Sequence, residues 1–398
     1  MSAAPVPVPV AVAGAGFVGA ALALGLARAG IAVTVVERQP ARAAPREDGR
    51  GLALAMSSVS LLERLGVWTA LAPQVCAVRH VHVTQRGHFG ALRLSHHDVG
   101  QPALGYVCPA EALQEALLRA LADAGVDVRF SHEIAALHVD ADAAHLTLRT
   151  SEGSAGCTAA LVIGADGADS AVRTLAGIGV RRHDYDQSAI VANVDVIDPR
   201  PNTALERFTV DGPLALLPLG GRRHVLVRAA RRADVPGLLA LPDRDYLAET
   251  ARRFGVAAGY FTALGVRREH PLALQRAVAL TAARVLLVGN AANTLHPNGA
   301  QGLNLGFRDA GCALDLLIDA CTQGRDPGDL DLLRRYAAAR HADHRATACI
   351  TDTLARAFAV AHPLAGALRA CALAGADRLP VMKRLALRRL ALGASAFA

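Results

Sequence analysis

The chain has 398 residues, enough for two or three domains around sizeable cores. A hydrophobic fraction of 52% excludes a disordered chain, and a net charge of +7 with a pI near 9.3 permits attraction to an anionic surface. No dense block of Lys and Arg with interleaved aromatics marks a nucleic-acid groove, so nucleic acid is not an expected partner.

Residues 1–27 carry no charged side chain. Pro5, Pro7, Pro9, the glycines at 14, 16, 19 and 25, and the lack of a basic residue before Arg28 argue against a signal peptide or a membrane span. Residues 8–13 read as a buried strand, Gly14-Ala15-Gly16-Phe17-Val18-Gly19 as a turn, 17–30 as a helix and 31–36 as the next strand. In that context Gly14 makes the tight turn, Gly16 lets a pyrophosphate reach the backbone, and Gly19 with Ala23 lets helix and strand pack closely. Glu37 stands where an acid at the end of the second strand accepts hydrogen bonds from a ribose, with Arg38 beside it as a candidate contact. This unit predicts a bound dinucleotide and leaves FAD and NAD both open.

Residues 39–49 read as an exposed loop. Arg50, before the apolar run 51–54, is of the right type to pair with a pyrophosphate, and equally a surface arginine at a loop end. Residues 78–94 predict two antiparallel strands around Arg86-Gly87. His80, His82, His88, His96 and His97 cluster there without a Cys or carboxylate partner at ligand spacing, so exposed polar residues are expected and no metal. Residues 109–124, with Leu113, Leu117, Leu118 and Leu121 at helical spacing, predict an amphipathic helix bearing Gln114. Strands follow at 126–130, 135–139 and 144–150, and a strand-to-turn unit at 161–167 ends in Asp166-Gly167. Residues 181–280 read mainly as strands with one helix near 244–254. The seven cysteines are scattered and contain no CxxC, which predicts reduced thiols and not a disulfide framework.

The stretch 284–309 organises the rest. Val285-Leu286-Leu287-Val288 reads as a buried strand ending at Gly289-Asn290, followed by a loop with His296-Pro297, Gly299 and Gly302, then a helix over 303–318. Gly299, Ala300 and Gly302 set small residues on a helix N-terminus, a place that favours negative charge. Beyond residue 329 the chain predicts helices over 330–347 and 350–374, the second broken near His362-Pro363. A basic amphipathic helix over 377–392 could lie on an anionic membrane, dock on a partner or pack on its own core.

Gly289-Asn290-Ala291-Ala292, His296-Pro297, Gln301-Gly302-Leu303-Asn304-Leu305-Gly306 and Arg308-Asp309 resemble the second flavin fingerprint of class A flavoprotein aromatic hydroxylases, and within them the ubiquinone-biosynthesis hydroxylases. Asp166-Gly167-Ala168-Asp169-Ser170-Ala171-Val172-Arg173 resembles the family's DGxxSxxR motif. Two departures stand out. Asn290 replaces the usual Asp, and an amide still hydrogen-bonds a ribityl hydroxyl. Ala300 replaces a Gly, and its methyl would crowd the loop if positive φ is needed there.

The resemblance implies an α/β fold like that of p-hydroxybenzoate hydroxylase: a discontinuous Rossmann-like FAD domain (1–75, 100–180 and 281–328), an antiparallel-sheet substrate domain (76–99 and 181–280) and a helical C-terminal region (329–398). It implies FAD as resident cofactor, with Gly14, Gly16, Phe17, Val18, Gly19, Glu37, Arg38, Arg50, Gln114, Asp166, Gly167, Asn290, Gly302, Leu303 and Asn304 as its contacts. NAD(P)H would bind transiently. Pro297, Gly299, Ala300 and Gln301 would form the loop at the flavin ring, and Pro218 a pocket wall. The implied reaction is reduction of FAD by NAD(P)H, addition of O2 at the flavin C4a, and hydroxylation of a prenylated phenol. A phenol-deprotonating base stays open among His183, Tyr185, His224 and Tyr260. A hydroxylase of a small soluble aromatic and a non-catalytic flavoprotein scaffold are the alternative readings. The expected location is cytoplasmic, with a possible peripheral contact, through the C-terminal helices, to the inner face of the cytoplasmic membrane or to a ubiquinone-biosynthesis complex.

Overall fold

Val8–Ala13 is apolar on both sides of its pleat, as a strand buried between two layers must be, and Val10, Ala11 and Val12 are fully covered. The computed structural model describes residues 8–41, 50–296, 299, 301–360 and 362–392. Val8–Ala13 lies at the centre of an eight-stranded sheet, parallel to Val33–Val36 on one side and to Gly153–Gly164 on the other. Val285–Leu287 and Asp127–Arg129 extend it in parallel, and Glu133–Val139 and Ala144–Thr150 add an antiparallel wing.

Helices Phe17–Arg28, Ala110–Asp123 and Gln301–Thr322 cover one face of this sheet, with Leu22, Leu113, Leu117 and Leu314 in the shared core. Phe17–Arg28 and Gln301–Thr322 approach closely because Gly25 has no side chain: a Cβ there would stand 2.6 Å from Leu314 Cδ1.

A second, nine-stranded sheet is mainly antiparallel. Its middle strands are Val180–Ile197, Thr203–Thr209, Gly212–Gly220 and Arg223–Arg231. One face buries Leu214, Leu216 and Leu226 against Tyr246 and Phe254 of helix Asp243–Phe254. The other face turns toward a small third sheet, Gly51–Ala55, Cys76–Val78 and Gly105–Pro109, which sits beside the dinucleotide unit. Within 76–99, Cys76–Val78 pairs with Gly105–Pro109, whereas His80–Gln85 and Ala91–Ser95 join the second sheet. Among the described residues no group of three His, Cys, Asp or Glu side chains is arranged to hold a metal ion.

The C-terminal segment differs from its sequence pattern. Leu330–Ala359 is one uninterrupted helix of 30 residues, followed by Pro363–Arg378 and Pro380–Leu392. The single helix expected over 377–392 is instead interrupted at Leu379, which sits at φ −100° and ψ 104° because the ring of Pro380 disfavours helical geometry in the residue before it, while the break near His362-Pro363 lies where the pattern put it. No helix among the described residues is long and apolar enough to cross a membrane.

Gly25→Val should overpack the contact with Leu314 and cost about 1–3 kcal/mol; thermal denaturation should show a clear drop in midpoint, and an unchanged midpoint would contradict the packing described.

Candidate active site

The glycines of the first turn divide by task. Gly14 adopts φ 99°, and a Cβ on it would lie 2.6 Å from the carbonyl oxygen of Ala165. A Cβ on Gly19 would collide with the carbonyl oxygen of Gly14. Both are needed for strand and helix to meet. Gly16 is different: a Cβ there would meet nothing within 4 Å. It caps helix Phe17–Arg28 without a side-chain hydrogen bond, so the first-turn N–H groups face open space, the arrangement that cradles a phosphate.

Glu37 closes the turn from the other side. Its carboxylate accepts the backbone N–H of Ala15 at 2.7 Å and of Gln39 at 2.8 Å, which fixes both oxygens at the end of Val33–Val36. Arg38, next to it, is exposed. Gln114 donates to the carbonyl of Ala15 at 2.8 Å and so braces the same turn.

The Asp166 turn enters beside Gly14. Asp166 Oδ2 accepts the N–H of Val172, while its Oδ1 is buried with no hydrogen-bond partner among the described residues. A buried carboxylate oxygen in that state calls for a donor, and a ribityl hydroxyl is of the right chemistry. Ser170 caps the short helix that follows, accepting the N–H of Arg173. The buried Arg173 donates to the carbonyls of Ala168 at 2.8 Å and Ala291 at 2.9 Å, tying this motif to the distant second fingerprint.

That second fingerprint packs onto the first. Gly289, at φ 59°, and Gly306 both face Val18: a Cβ on Gly306 would stand 2.7 Å from Val18 Cγ2 and 3.1 Å from the Gly289 Cα. The two glycine turns therefore pack against one another through Val18. A Cβ on Gly302 would meet nothing within 4 Å, so the start of helix Gln301–Thr322 is open in the same way as Gly16. Gln301 donates to the carbonyl of Gly299, which adopts φ 68°. Leu303 is half-buried at the same helix start, and Asn290 is exposed at the turn. The side chain of Asn304 is held by the neighbouring strand and helix. It accepts from Ala55 N–H at 2.7 Å and from Ser58 Oγ at 2.6 Å and donates to the Ala53 carbonyl, fastening the strand that follows Arg50. Pro297 and Ala300 lie outside the described residues.

One feature has no counterpart in the motifs. Helix Leu330–Ala359 turns a polar stripe inward, with Tyr336, Arg340, Asp343 and His344 all buried. Tyr336 donates to the carbonyl of Leu287, and Arg340 Nε donates to Asp309 at 2.7 Å. His344 contacts Asp309 at 2.6 Å through Nε2 and Asn293 at 2.6 Å through Nδ1. Asp343 bridges Arg340 and Arg308, each at 2.7 Å. Asp309, fully buried, also accepts the N–H of Gly289. Burial alone would raise its carboxyl, but the fields of His344 and Arg340 overcome that and hold it below the usual carboxylate range.

Of the four side chains considered as bases, Tyr185 and His183 stand near the loop. The Tyr185 ring is edge-on to His296 with centroids 4.9 Å apart, and edge-on to the His183 ring at the same separation. Tyr185 donates to Asp352 at 2.8 Å; desolvation, then that bond, push its phenol well above its ordinary value. It is a fixed donor. His224 is opposite Pro218 and Val194, in the layer packed under the helices, so neither His224 nor Pro218 faces the cleft. Tyr260 is 72% exposed beside helix Asp243–Phe254.

Residues 7–351 match the family model described as FAD binding domain. The chain belongs to that FAD-binding family. Among relatives, the ubiquinone hydroxylase UbiL of Rhodospirillum rubrum is 35% identical over 90% of this chain and 83% of its own length. The 3-demethoxyubiquinol 3-hydroxylase of Escherichia coli is 36% identical over 90% and 92%. The fold is that of the crystal structure of the p-nitrophenol 4-monooxygenase PnpA from Pseudomonas putida, with TM-score 0.81, 18% identity and coverage of 98% and 99%. The FAD-binding chain fits its cofactor on its own evidence: two open helix starts, two glycine turns packed against one another and the lone oxygen of Asp166.

Arg340→Met should leave Asp309 buried beside a weakened cation set and cost about 3–5 kcal/mol in urea denaturation. Because the folded-state carboxyl of Asp309 is lowered, the stability it contributes is complete above the ordinary Asp range and is lost as the pH falls below it. In Asp309→Asn that acid-side loss should shrink; an identical acid profile would contradict this role.

Proposed function

We propose that this chain is an FAD- and NAD(P)H-dependent monooxygenase that hydroxylates the aromatic ring of a prenylated phenol in ubiquinone biosynthesis. The observation that carries the reading is the packing of Gly289 and Gly306 against Val18, which sets helices Phe17–Arg28 and Gln301–Thr322 side by side although they lie far apart in sequence, each with an open glycine, Gly16 or Gly302, at its start. The names of the relatives supply the substrate class. In this reading the first-turn amides after Gly16 bind the pyrophosphate, Glu37 and Arg38 flank the ribose, and Asp166, Gly167 and Asn290 meet the ribityl chain. Arg50 and Gln114 complete the cofactor contacts. The amides of Gln301, Gly302 and Leu303 set positive potential at the pyrimidine edge, with Pro297, Gly299 and Ala300 lining the ring. When bound, FAD accepts a hydride from NAD(P)H and activates O2. The chain orients the ring and excludes water, for which the apolar underside of the second sheet is suited.

Purified protein should be yellow and should oxidise NAD(P)H faster when a prenylated phenol is added. Deletion of the gene should lower ubiquinone and accumulate a prenylated phenol; normal ubiquinone in the deletion strain would redirect the reading to a small soluble aromatic.

The C-terminal helices support a peripheral contact with an anionic membrane. Leu364 and Leu368, 70% and 71% exposed, share one face of Pro363–Arg378, near Phe89, whose neighbours His88 and Gly90 touch Gly366 and Ala370. Val381, Met382 and Leu385 continue the exposed apolar surface, with Arg378 and Arg384 beside it. Vesicles containing anionic lipid should carry the protein in flotation, and Leu364→Ser with Leu368→Ser should release it; equal recovery on neutral vesicles would point to a protein partner instead.

A further inference from the structure

Alternation along the middle strands of the second sheet divides buried from accessible positions. Leu205, Leu214, Leu216, Leu226, Ile190 and Ala192 are buried under the helices. The row between them keeps accessible surface: Val83, Glu206, Ala215, Val227 and Val191 stand opposite one another across five strands, and each is only half-buried. Residues opposite in register share a face, with Cβ atoms roughly 4.5–5.5 Å apart. This face is internal. At one margin Leu217 and Leu219 pack toward Val107 of the third sheet, and Val191 and Val227 pack with Tyr185, whose ring meets His296 of the flavin loop. At the other, Phe208 stacks on Phe358 of helix Leu330–Ala359 with centroids 3.7 Å apart. An enclosed sheet face that keeps accessible surface lines a cleft.

Glu206 is the acid of that row. Its neighbours Val83 and Ala215 are apolar, Ala204 and Phe208 flank it on its own strand, and no hydrogen bond or ion pair engages its carboxyl among the described residues. The charged groups nearest this face lie at its margins: Arg268 at the far end of the row, and Arg369, which reaches Gln85 over Phe358. The other titratable groups on this side are His270, in register with Ala189, and Tyr185 with its two neighbours, His296 at its ring and Asp352 at its hydroxyl. Arg207 points the other way and donates to Thr84. An uncompensated carboxyl on an apolar floor destabilises the fold unless a ligand uses it.

We propose that Glu206 is a catalytic residue, the acceptor for the ring-hydroxyl proton of a phenol whose apolar substituents lie along Val83, Ala215, Val227 and Val191. This rests on the reading of the cleft as a phenol hydroxylase site. The phenol O–H bond breaks, an O–H bond forms on the carboxylate, and the ring keeps the electron pair, which enriches it for oxygen transfer. The proton passes to solvent after turnover. Desolvation pushes the Glu206 carboxyl up to about 7, nearer to a phenol than an exposed carboxylate would be. Activity should therefore rise with pH through that value.

The test uses the FAD-loaded enzyme with 4-methylphenol, which is neutral in solution below its ionisation near roughly 10 and shows a longer-wavelength ultraviolet band once ionised. Between about pH 7 and 9 this neutral probe should bind as phenolate without releasing a proton to a weakly buffered medium, because the carboxylate takes it up. Glu206→Gln should bind the neutral phenol, lower kcat about 100-fold and shift the rise in rate toward the phenol's own ionisation near roughly 10, while Glu206→Asp keeps the phenolate band. Proton release on binding to the unmutated enzyme, or a Glu206→Gln variant with unchanged phenolate band and pH profile, would overturn the assignment. Protein that binds no flavin would defeat the broader reading instead. The proton-release measurement needs no variant to fold.

Discussion

The carboxylate of Asp309 lies where no water can reach it, and three segments are obliged to come to it. The N–H of Gly289 brings the end of the fingerprint strand, and Arg340 and His344 bring the long C-terminal helix. Asp309 itself lies in the first half of helix Gln301–Thr322. An isolated buried carboxylate costs far more than any single hydrophobic contact returns, so its partners cannot drift. Arg340 is shared with Asp343, Asp343 with Arg308, and His344 with Asn293, so opposite charges alternate through the network. The strand end at Gly289 and helix Gln301–Thr322 are consequently held together by a helix that follows both in sequence.

The glycines show how much of this was legible beforehand. The GxGxxG unit, the strand–turn–helix after Arg284 and the Asp166 turn could be read because each packs a local periodicity against a turn that only glycine permits. In the first turn the motif already separates the open Gly16 from Gly14 and Gly19, and the neighbours of an added Cβ agree with it. In the second it does not: Gly306 has the same letter as Gly302, and only the neighbours met by an added Cβ distinguish the packed one from the open one. Asn304 adds a role the motif does not announce: its amide spans Ala53, Ala55 and Ser58 and so ties the helix start to the strand after Arg50.

The clamp escaped the sequence for a different reason. Residues 330–347 carry many charges, and charge on a helix ordinarily marks a solvated face. Here Tyr336, Arg340, Asp343 and His344 recur at spacings of three and four, which places them on one inward stripe. A buried polar stripe and an exposed one have the same period. What separates them is the partner set, Asp309, Arg308, Asn293 and the Leu287 carbonyl, and those lie on segments whose approach no local pattern encodes.

The underside of the second sheet follows from the same physics with the opposite sign. Where the sheet meets helix Asp243–Phe254, every inward position is filled, and Leu214, Leu216 and Leu226 are covered by Tyr246 and Phe254. Where it faces the cleft, Val83, Ala215, Val227 and Val191 retain surface that a packed core would have removed. A protein that forgoes that burial gives up stability, at about 25 cal/mol for each Å² left uncovered. The Asp309 network holds the fingerprint strand and helix and works against that loss, because ionic contacts fix position without occupying the cleft. Rigidity in the network and emptiness in the cleft are then two consequences of one division of labour: charge supplies the geometry on one side so that apolar surface can wait for a ligand on the other.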